Sequence, residues 1–404
     1  MNGSLRRDRV GLPRKSTTVL LCALLLALIG AETIAGEADR APRRGGILPW
    51  AVEGEPPSLD PLQLPSNDAA TLAFLVFHSL LELDSSGQFI PVLTERLPDV
   101  SPDSLTYTFR LRKGVRFSNG RELSADDVVF TFERGCDPTA ISSSSAFYRN
   151  IEGSAEFGEA RLREIKERRQ GGEIPPAERH LKPLHVTGLT APDSHTFQLR
   201  LKSPDLAAIA SIAGVGIVPR QEFFRPGLLF GTHPIGTGAF MLKEWRRGVR
   251  MRFERNPHCF RVAETYLDGI EVLLNIPTST QAMLFDRNET GLLTIFADVD
   301  AWRWKRNPTM QDSLVIFPGA SPSYIALNCE MPPFTNRLVR QAMNYAVNKE
   351  AIVKKLLHRA EPAQGPLPRI ARGFNPHLAD GARFPWDPST RRLRMNRRRP
   401  SISF

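Results

Sequence analysis

The chain has 404 residues, of which 41% are hydrophobic and 24% charged, so it is long enough for two or three globular domains with ample core. Its net charge of +10 is concentrated at the ends, because residues 391–404 carry six arginines and no acid and residues 1–36 carry +3. Residues 37–390 therefore carry only +1, which argues against a basic face for nucleic acid.

The amino terminus has the layout of an export signal. A basic stretch through Lys15 precedes an apolar run from Val19 to Ala31, and small residues follow up to Gly36. The 13 residues of the run span roughly 20 Å as a helix, short of the ~30 Å hydrocarbon core of a membrane. We therefore expect residues 1–36 to be a signal peptide, cleaved between about Ala31 and Gly36.

The four cysteines give no clear disulfide framework. Cys22 lies inside the apolar run, and the preceding Val19-Leu20-Leu21 lacks the small residue expected before a lipidated cysteine, so a lipid anchor is disfavoured. Cys136, Cys259 and Cys329 are widely spaced, without a C-x-x-C pair. One bridge among them is possible in an oxidising compartment, but three buried free thiols are the favoured prediction.

A polar linker at 37–44 leads to the first predicted elements. Gly45-Gly46 opens an apolar strand, and the proline-rich run from Pro56 to Pro61 must leave it as a loop. A helix follows, in which apolar residues recur every three or four positions. His78 is expected to lie within this helix as a packing residue. The apolar positions of this helix are Leu72, Leu75, Val76 and Leu80.

The segment Leu105–Arg112 has the clearest strand pattern. Apolar residues, among them Tyr107 and Phe109, alternate with polar ones, which predicts a strand with one buried and one solvated face. Ser124 is a candidate N-cap for the next helix, and Asp126 and Asp127 suit its first turn. Because adjacent residues do not share a helix face, these two aspartates do not predict a catalytic carboxylate pair.

The remaining elements mix strands and helices. Residues 159–170 are so charged that a solvated helix is expected, and further strands alternate at Thr196–Leu201 and Val249–Glu254. Two helices are predicted at Asn336–Val347 and Lys349–His358, the second capped by Asn348. The fold class is therefore α/β or mixed α+β without an internal repeat.

No catalytic or metal-binding constellation emerges from the sequence. The eight histidines are scattered, so no cofactor or metal is expected and the chain is predicted not to be an enzyme. Gly236-Thr237-Gly238 lacks the third glycine of a dinucleotide fingerprint and is interpreted as a turn where one backbone approaches another. Trp302 and Trp304 alternate with basic residues, which favours an exposed strand over a nucleic-acid ladder.

Several segments resemble the bacterial extracellular solute-binding protein family 5. Residues 77–134 read FHSLLELDSSGQFIPVLTERLPDVSPDSLTYTFRLRKGVRFSNGRELSADDVVFTFER, similar to the family's "tYtFrLRkGVkFsdG" and "ltAdDVvfsfer" run. Residues 186–201, 234–257 and 324–357 agree with later family segments, so the resemblance covers about 45–390. Ala239 replaces a usual proline in the second of these.

The resemblance implies a two-lobed Venus-flytrap fold that closes on ligand. By the family layout, residues 45–83 and 185–275 would form the first lobe, with an added domain at 84–184. Residues 276–390 would form a partial second lobe.

The main departure from the family pattern comes after Trp386-Asp387-Pro388, where a family helix gives way to the arginine-rich residues 391–404. We expect an aberrant basic tail and an incomplete second lobe, although an evolved tail is the alternative. Such a lobe would expose apolar helix positions that are normally packed against the rest of the lobe. These positions are Leu338, Ala342, Ile352 and Leu356. We would expect the lobe to fold poorly and the chain to bind no peptide tightly.

The loop before the first helix supplies the candidate ligand-binding residues. Ser66, Asn67 and Asp68 match a cleft-lining segment of the family, and the helix start could present N–H groups to a ligand, although an ordinary cap is the alternative. The resemblance implies a periplasmic protein that delivers a peptide or related small solute to the permease of an ABC importer. The alternative is a degenerate or truncated family member with a structural or chaperone-like role and no transport.

Overall fold

The computed structural model describes residues 43–355, apart from 85, 141–144, 171–184, 225–228, 295–297 and 316–321, with a few positions between 357 and 393. The chain divides into two units, Met1–Gly45 and Gly46–Phe404, and the described residues lie almost entirely in the second. The expected signal peptide and most of the linker lie outside the described residues, as does nearly all of the arginine-rich end. In the part that is described, no helix is both long and apolar enough to cross a membrane.

Strands and helices alternate irregularly along the second unit, as the sequence predicted. In chain order they are β1 (Ile47–Ala51), α1 (Asn67–Val76), β2 (Leu81–Leu83), β3 (Phe89–Pro91), β4 (Asp99–Val100), β5 (Thr106–Arg110), α2 (Ala125–Cys136), α3 (Ser145–Arg149), α4 (Ser154–Gln170), β6 (Leu189–Asp193), β7 (Thr196–Arg200), α5 (Ala208–Ala213), α6 (Arg220–Phe223), β8 (Phe240–Arg246), β9 (Arg250–Arg255), β10 (Gly269–Leu273), α7 (Thr278–Asp286), α8 (Asp298–Lys305), α9 (Arg337–Ala346), α10 (Lys349–Lys355), β11 (Trp386–Asp387) and β12 (Arg392–Leu393).

One four-stranded sheet, in the order β1-β10-β9-β8, carries the first core. β1 pairs in parallel with β10, and the other pairs are antiparallel. Trp50 on β1, Met251 and Phe253 on β9 and Val272 on β10 are buried with the apolar face of α1. The period-two pattern predicted for Val249–Glu254 is confirmed at Met251 and Phe253, although Val249 lies before the strand and is exposed.

A second four-stranded sheet, in the order β4-β5-β7-β6, packs against α2. Tyr107 and Phe109 of β5 are buried and Arg110 is exposed, which confirms the predicted alternation. β5 pairs with β7 through five residues, including Phe109 opposite Phe197. A domain boundary between residues 184 and 185 would place β6 and β7 in a different domain from β5. Because all three strands belong to one sheet, β6 and β7 lie with residues 99–110 instead. The remaining lobe boundaries stay predictions.

The start of α2 shows why its sequence forms a helix there. The Ser124 side chain and backbone both approach the Asp127 carboxylate at 3.0 Å, which closes a capping box. Asp127 is buried and also accepts from Arg121 at 2.7 Å and from the Arg220 backbone N–H at 2.9 Å. Asp126 is exposed, so the two aspartates have separate roles, as expected.

Four expectations need correction. α1 ends at Val76, so His78 and Leu80 follow the helix, because the chain turns there to begin β2. Trp302 and Trp304 lie on helix α8 rather than a strand, and Trp304 packs edge-on against Phe285. The charged helix α4 is only partly solvated, because Arg161 is buried between Asp137 and Glu164. Cys136 and Cys259 are buried free thiols, but the free thiol of Cys329 is exposed.

The glycines of Gly236-Thr237-Gly238 allow two backbones to meet, as predicted. The Gly238 N–H donates to the Val76 carbonyl at 2.7 Å, at the end of α1. A Cβ at Gly238 would lie 2.4 Å from the Val76 carbonyl carbon, closer than atoms can pack. A backbone neighbour cannot move aside as a flexible side chain can.

We therefore expect Gly238→Ala to lower the free energy of unfolding by about 1–3 kcal/mol or more. Gly54→Ala is the matched control, because a Cβ there meets nothing within 4 Å. Urea denaturation of both variants measures the difference. Equal stabilities would show that the close approach at Gly238 is not maintained in solution.

Helices α9 and α10 have no buried residue. Asn336 caps α9 by accepting from the Leu338 N–H at 2.9 Å, and Asn348 caps α10 by accepting from the Ala351 N–H at 2.9 Å. Leu338 is 70% exposed and Tyr345 44%, and Ala342 between them is also exposed, so the spacing of four and three forms an apolar stripe facing solvent. The predicted exposure of Leu338, Ala342 and Ile352 is confirmed, whereas Leu356 lies outside the described residues.

This stripe should promote self-association. We expect the purified chain to show concentration-dependent association and Leu338→Lys to reduce it, because a charge placed in an apolar patch opposes its burial. Gln341→Lys, an exposed position on the same helix, is the control with the same gain of charge. Sedimentation velocity gives the distribution of species. A monomeric wild-type chain at tens of micromolar would contradict the prediction.

Candidate ligand-binding site

A cavity of about 250 Å³ lies at the N-terminal end of α1. The loop before the helix forms one wall, the first turns of α1 a second, and Tyr148 of α3 with Gly214-Val215 after α5 the rest. Leu62, Leu64 and Phe74 contribute apolar side chains to the lining, beside the polar atoms of the loop and of the helix start. The cavity therefore offers both apolar and polar partners to a small ligand.

Ser66 and Asn67 line this cavity, whereas Asp68 does not. The Ser66 hydroxyl accepts from the Ala69 N–H at 3.2 Å, so Ser66 is the ordinary cap that the sequence left open as an alternative. Within the described residues, the backbone N–H groups of Asn67 and Asp68 have no acceptor. The Asn67 N–H, at the positive end of the helix and in the cavity lining, is therefore available to an acceptor atom of a ligand.

Asp68 is turned towards Glu53 in the loop after β1. Partial burial raises the pKa of the Asp68 carboxyl above its usual value, a hydrogen bond from the Glu53 backbone N–H opposes this, and the Glu53 charge adds to it. The neighbourhood of the helix start thus contains two carboxylates beside its donors. A group that carries both an ammonium and a carbonyl or carboxylate can interact with both kinds of partner.

The loop that carries Ser66 is held by a buried ion pair. Asp60 accepts from the Leu62 N–H at 3.1 Å through one carboxylate oxygen and from Arg134 of α2 through the other. The Arg134 guanidinium also lies 3.9 Å from the centroid of the Phe223 ring. These contacts fix the loop on α2 and α6, so the position of the helix start depends on residues far away in sequence.

Tyr148 was not anticipated from the sequence. Its ring is buried against Gly135 of α2, where an added Cβ would lie 2.1 Å from the ring. Burial raises the pKa of the Tyr148 hydroxyl, which therefore stays protonated. Burial likewise raises the pKa of the neighbouring Cys136 thiol to about 12, so this thiol is not a nucleophile at neutral pH.

The described residues contain no group of three or more histidine, cysteine or acidic side chains placed to hold a metal ion.

Comparison with known proteins identifies the family. The pattern of the bacterial extracellular solute-binding proteins, family 5 Middle, matches residues 88–388, well over half of the chain. The chain therefore belongs to this family, which is a family of binding proteins rather than of enzymes.

Individual relatives are distant. Di/tripeptide-binding protein 1 of Pseudomonas aeruginosa (strain UCBPP-PA14) is 27% identical over 94% of this chain and 67% of its own length. Heme-binding protein A of Haemophilus influenzae is 28% identical over 78% of this chain and 54% of its own length. The structure of clavulanic acid biosynthesis oligopeptide binding protein 2 superposes with a TM-score of 0.68 at 20% identity, over 86% of this chain and 62% of that protein.

The structural likeness confirms the mixed α/β fold of periplasmic binding proteins. The chain spans between about half and two thirds of the length of the relatives it matches.

Proposed function

We propose that the chain is a solute-binding protein of an ABC importer that takes a peptide or related small solute. The cavity at the start of α1, in a chain of this family, is the observation that carries the proposal. Its apolar residues Leu62, Leu64 and Phe74 suit a side chain of the solute. The free N–H group of Asn67, which lines the cavity, suits a carbonyl or carboxylate oxygen. The carboxylates of Asp68 and Glu53 lie next to the helix start, outside the cavity lining, and their charge favours an ammonium nearby.

A short peptide carries all of these groups within a few ångströms, which favours it over the other solutes named among the relatives. Those relatives include proteins named for dipeptides, glutathione and heme. We further propose that the chain acts in the periplasm after cleavage of residues 1–36, delivers its solute to a membrane permease and releases it unchanged.

Thermal unfolding with and without solute tests the binding proposal. Weak peptide binding is expected from the sequence, so the peptides are added at millimolar concentration. We expect a mixed pool of di- and tripeptides to raise the melting temperature, because a ligand at 100 times its Kd stabilises the native state by about 2.7 kcal/mol. Hemin and a nickel–histidine complex serve as competing ligand classes. Asn67→Pro removes the backbone N–H at the first helical position, where proline is tolerated, and should weaken peptide binding. Gln63→Ala, at an exposed residue of the same loop that does not line the cavity, should not.

Two outcomes would change the conclusion. A shift with hemin or nickel–histidine alone would replace the peptide with that solute. No shift with any of them would favour the alternative, a family member with a structural or chaperone-like role and no transport. Mass spectrometry of the peptide after incubation tests whether it is released intact.

A further inference from the structure

A second cavity, of about 440 Å³, lies along β8 and shares no lining residue with the cavity at α1. It is enclosed by β8 and the turn after it, the segment Phe230–Ile235, and the side chains of Asn119 and Glu222. Its volume falls in the range of about 300–1,000 Å³ typical of small-molecule sites. Nothing in the proposed solute binding uses it.

The floor of this cavity is apolar and its aromatic wall is fixed. Phe230, Pro234, Ile235, Met241 and Leu242 contribute apolar surface beside the Trp245 indole. The Trp245 indole N–H donates to Glu55 at 2.8 Å, and the Arg247 guanidinium lies 3.7 Å from the Trp245 ring centroid. Because the ring is held from two sides, it offers a preformed surface for an apolar or aromatic group.

The β-bulge in β8 lies at the wall of the cavity and contains Lys243. The register with β9 shifts between Leu242 and Glu244, so Lys243 has no partner residue in β9. The ammonium group of Lys243, which lines the cavity, therefore lies at the bulge.

The charges of the lining favour an anion. The Lys243 side chain is 63% exposed, and its contact with Glu254 at 3.7 Å, in solvent, is weak. Among the described residues of the lining, Glu222 is the one carboxylate, and it is already bound by Arg121 at 3.1 Å and by Asn119 at 2.8 Å. Arg247, the other lining cation, is held by Glu55. Lys243 is thus the cation whose charge is least compensated.

We propose that this cavity binds a small apolar carboxylate, with the aromatic or branched body against Trp245 and Phe230 and the carboxylate at Lys243. Such a ligand would be distinct from the transported solute and would occupy a separate site.

Indole-3-acetate and its neutral isostere indole-3-acetamide are the probes, measured by isothermal titration calorimetry on the full chain. We expect the acid to bind about tenfold more tightly than the amide, because hydrogen bonds to a charged acceptor are the stronger ones. Lys243→Gln should remove this preference. Lys349→Gln, on α10 and away from the cavity, should keep it.

Met241→Trp, which fills the cavity, should abolish binding of both probes while leaving peptide-induced stabilisation unchanged. The variant thus distinguishes the second site from the proposed solute site. If the proposed solute binding were wrong, binding of the indole probes would be unaffected. Circular dichroism confirms that each variant is folded. Equal affinity of acid and amide, a preference that survives in Lys243→Gln, or no binding at millimolar probe would each overturn the proposal.

Discussion

Phe109→Ala is expected to lower the free energy of unfolding by about 3–5 kcal/mol, the range found for truncating a fully buried aromatic ring. Phe109 has no exposed surface, lies opposite Phe197 on β7 and stacks on it with ring centroids 5.9 Å apart. Phe197 in turn stacks on Phe132 of α2 at 5.3 Å. Removing Phe109 therefore leaves a cavity between the sheet and the helix that fixed neighbours cannot fill.

Thr108→Ala is the matched control on the same strand. Its side chain points to the opposite face and is only partly buried, so the expected change is within about 0.5 kcal/mol. Urea denaturation monitored by circular dichroism gives both values under the same conditions. Similar losses for the two variants would mean that the register of β5 differs from the one described.

Local sequence rules predicted the features that depend only on residues close together in the sequence. The alternation at Tyr107 and Phe109 needs only the period of a strand, and the Ser124–Asp127 capping box joins residues three apart. The same holds for the caps at Asn336 and Asn348. These features are encoded within a few residues, so no knowledge of the tertiary fold is required.

Other features depend on contacts between distant residues. The Trp302–Lys305 segment alternates in a way that fits a strand, but its helical form is accompanied by packing of Trp304 on Phe285 and by the bond of its indole N–H to Asp286. A pattern of only four alternating residues cannot distinguish a strand from a helix. The burial of Arg161 likewise depends on Asp137, 24 residues away, which the charge of α4 alone does not reveal.

The candidate site was only half accessible to sequence reasoning. Ser66 and Asn67 could be named because the cap and the helix start are adjacent in the chain. Tyr148 and Val215 reach the same cavity from 70 or more residues away. No motif marks either of them, since each is an ordinary apolar or aromatic residue until the sheet and helices bring it to the helix start.

A buried histidine gives the chain an expected sensitivity to acid. His78 follows α1, lies edge-on to the Phe260 ring at 5.4 Å and approaches the Thr237 hydroxyl at 3.4 Å. Burial lowers the pKa of His78 to about 4, the positive charge of Arg261 adds to this, and the backbone of Thr237 opposes it. In the unfolded chain the same imidazole has its ordinary pKa of about 6.5.

Stability should therefore fall as pH drops from about 6.5 towards 4, because the unfolded chain takes up a proton that the folded chain excludes. The contribution of His78 is fully present above about pH 6.5, and the loss should reach about 2 kcal/mol at pH 5 and about 3 kcal/mol at pH 4. Below pH 4 both states are protonated and the loss becomes constant.

Carboxylates also titrate in this pH range and change the stability of every variant. The test is therefore the difference between variants in how the free energy of unfolding changes with pH. His78→Gln cannot take up the proton, and we expect its free energy of unfolding to decline less between pH 7 and pH 4.5 than that of the wild type. His233→Gln, at an exposed position, should follow the wild-type curve. Urea denaturation at half-unit intervals of pH gives the three curves. Parallel curves for wild type and His78→Gln would show that His78 is protonated in the folded chain, which would require water or a rearranged Arg261 beside the ring.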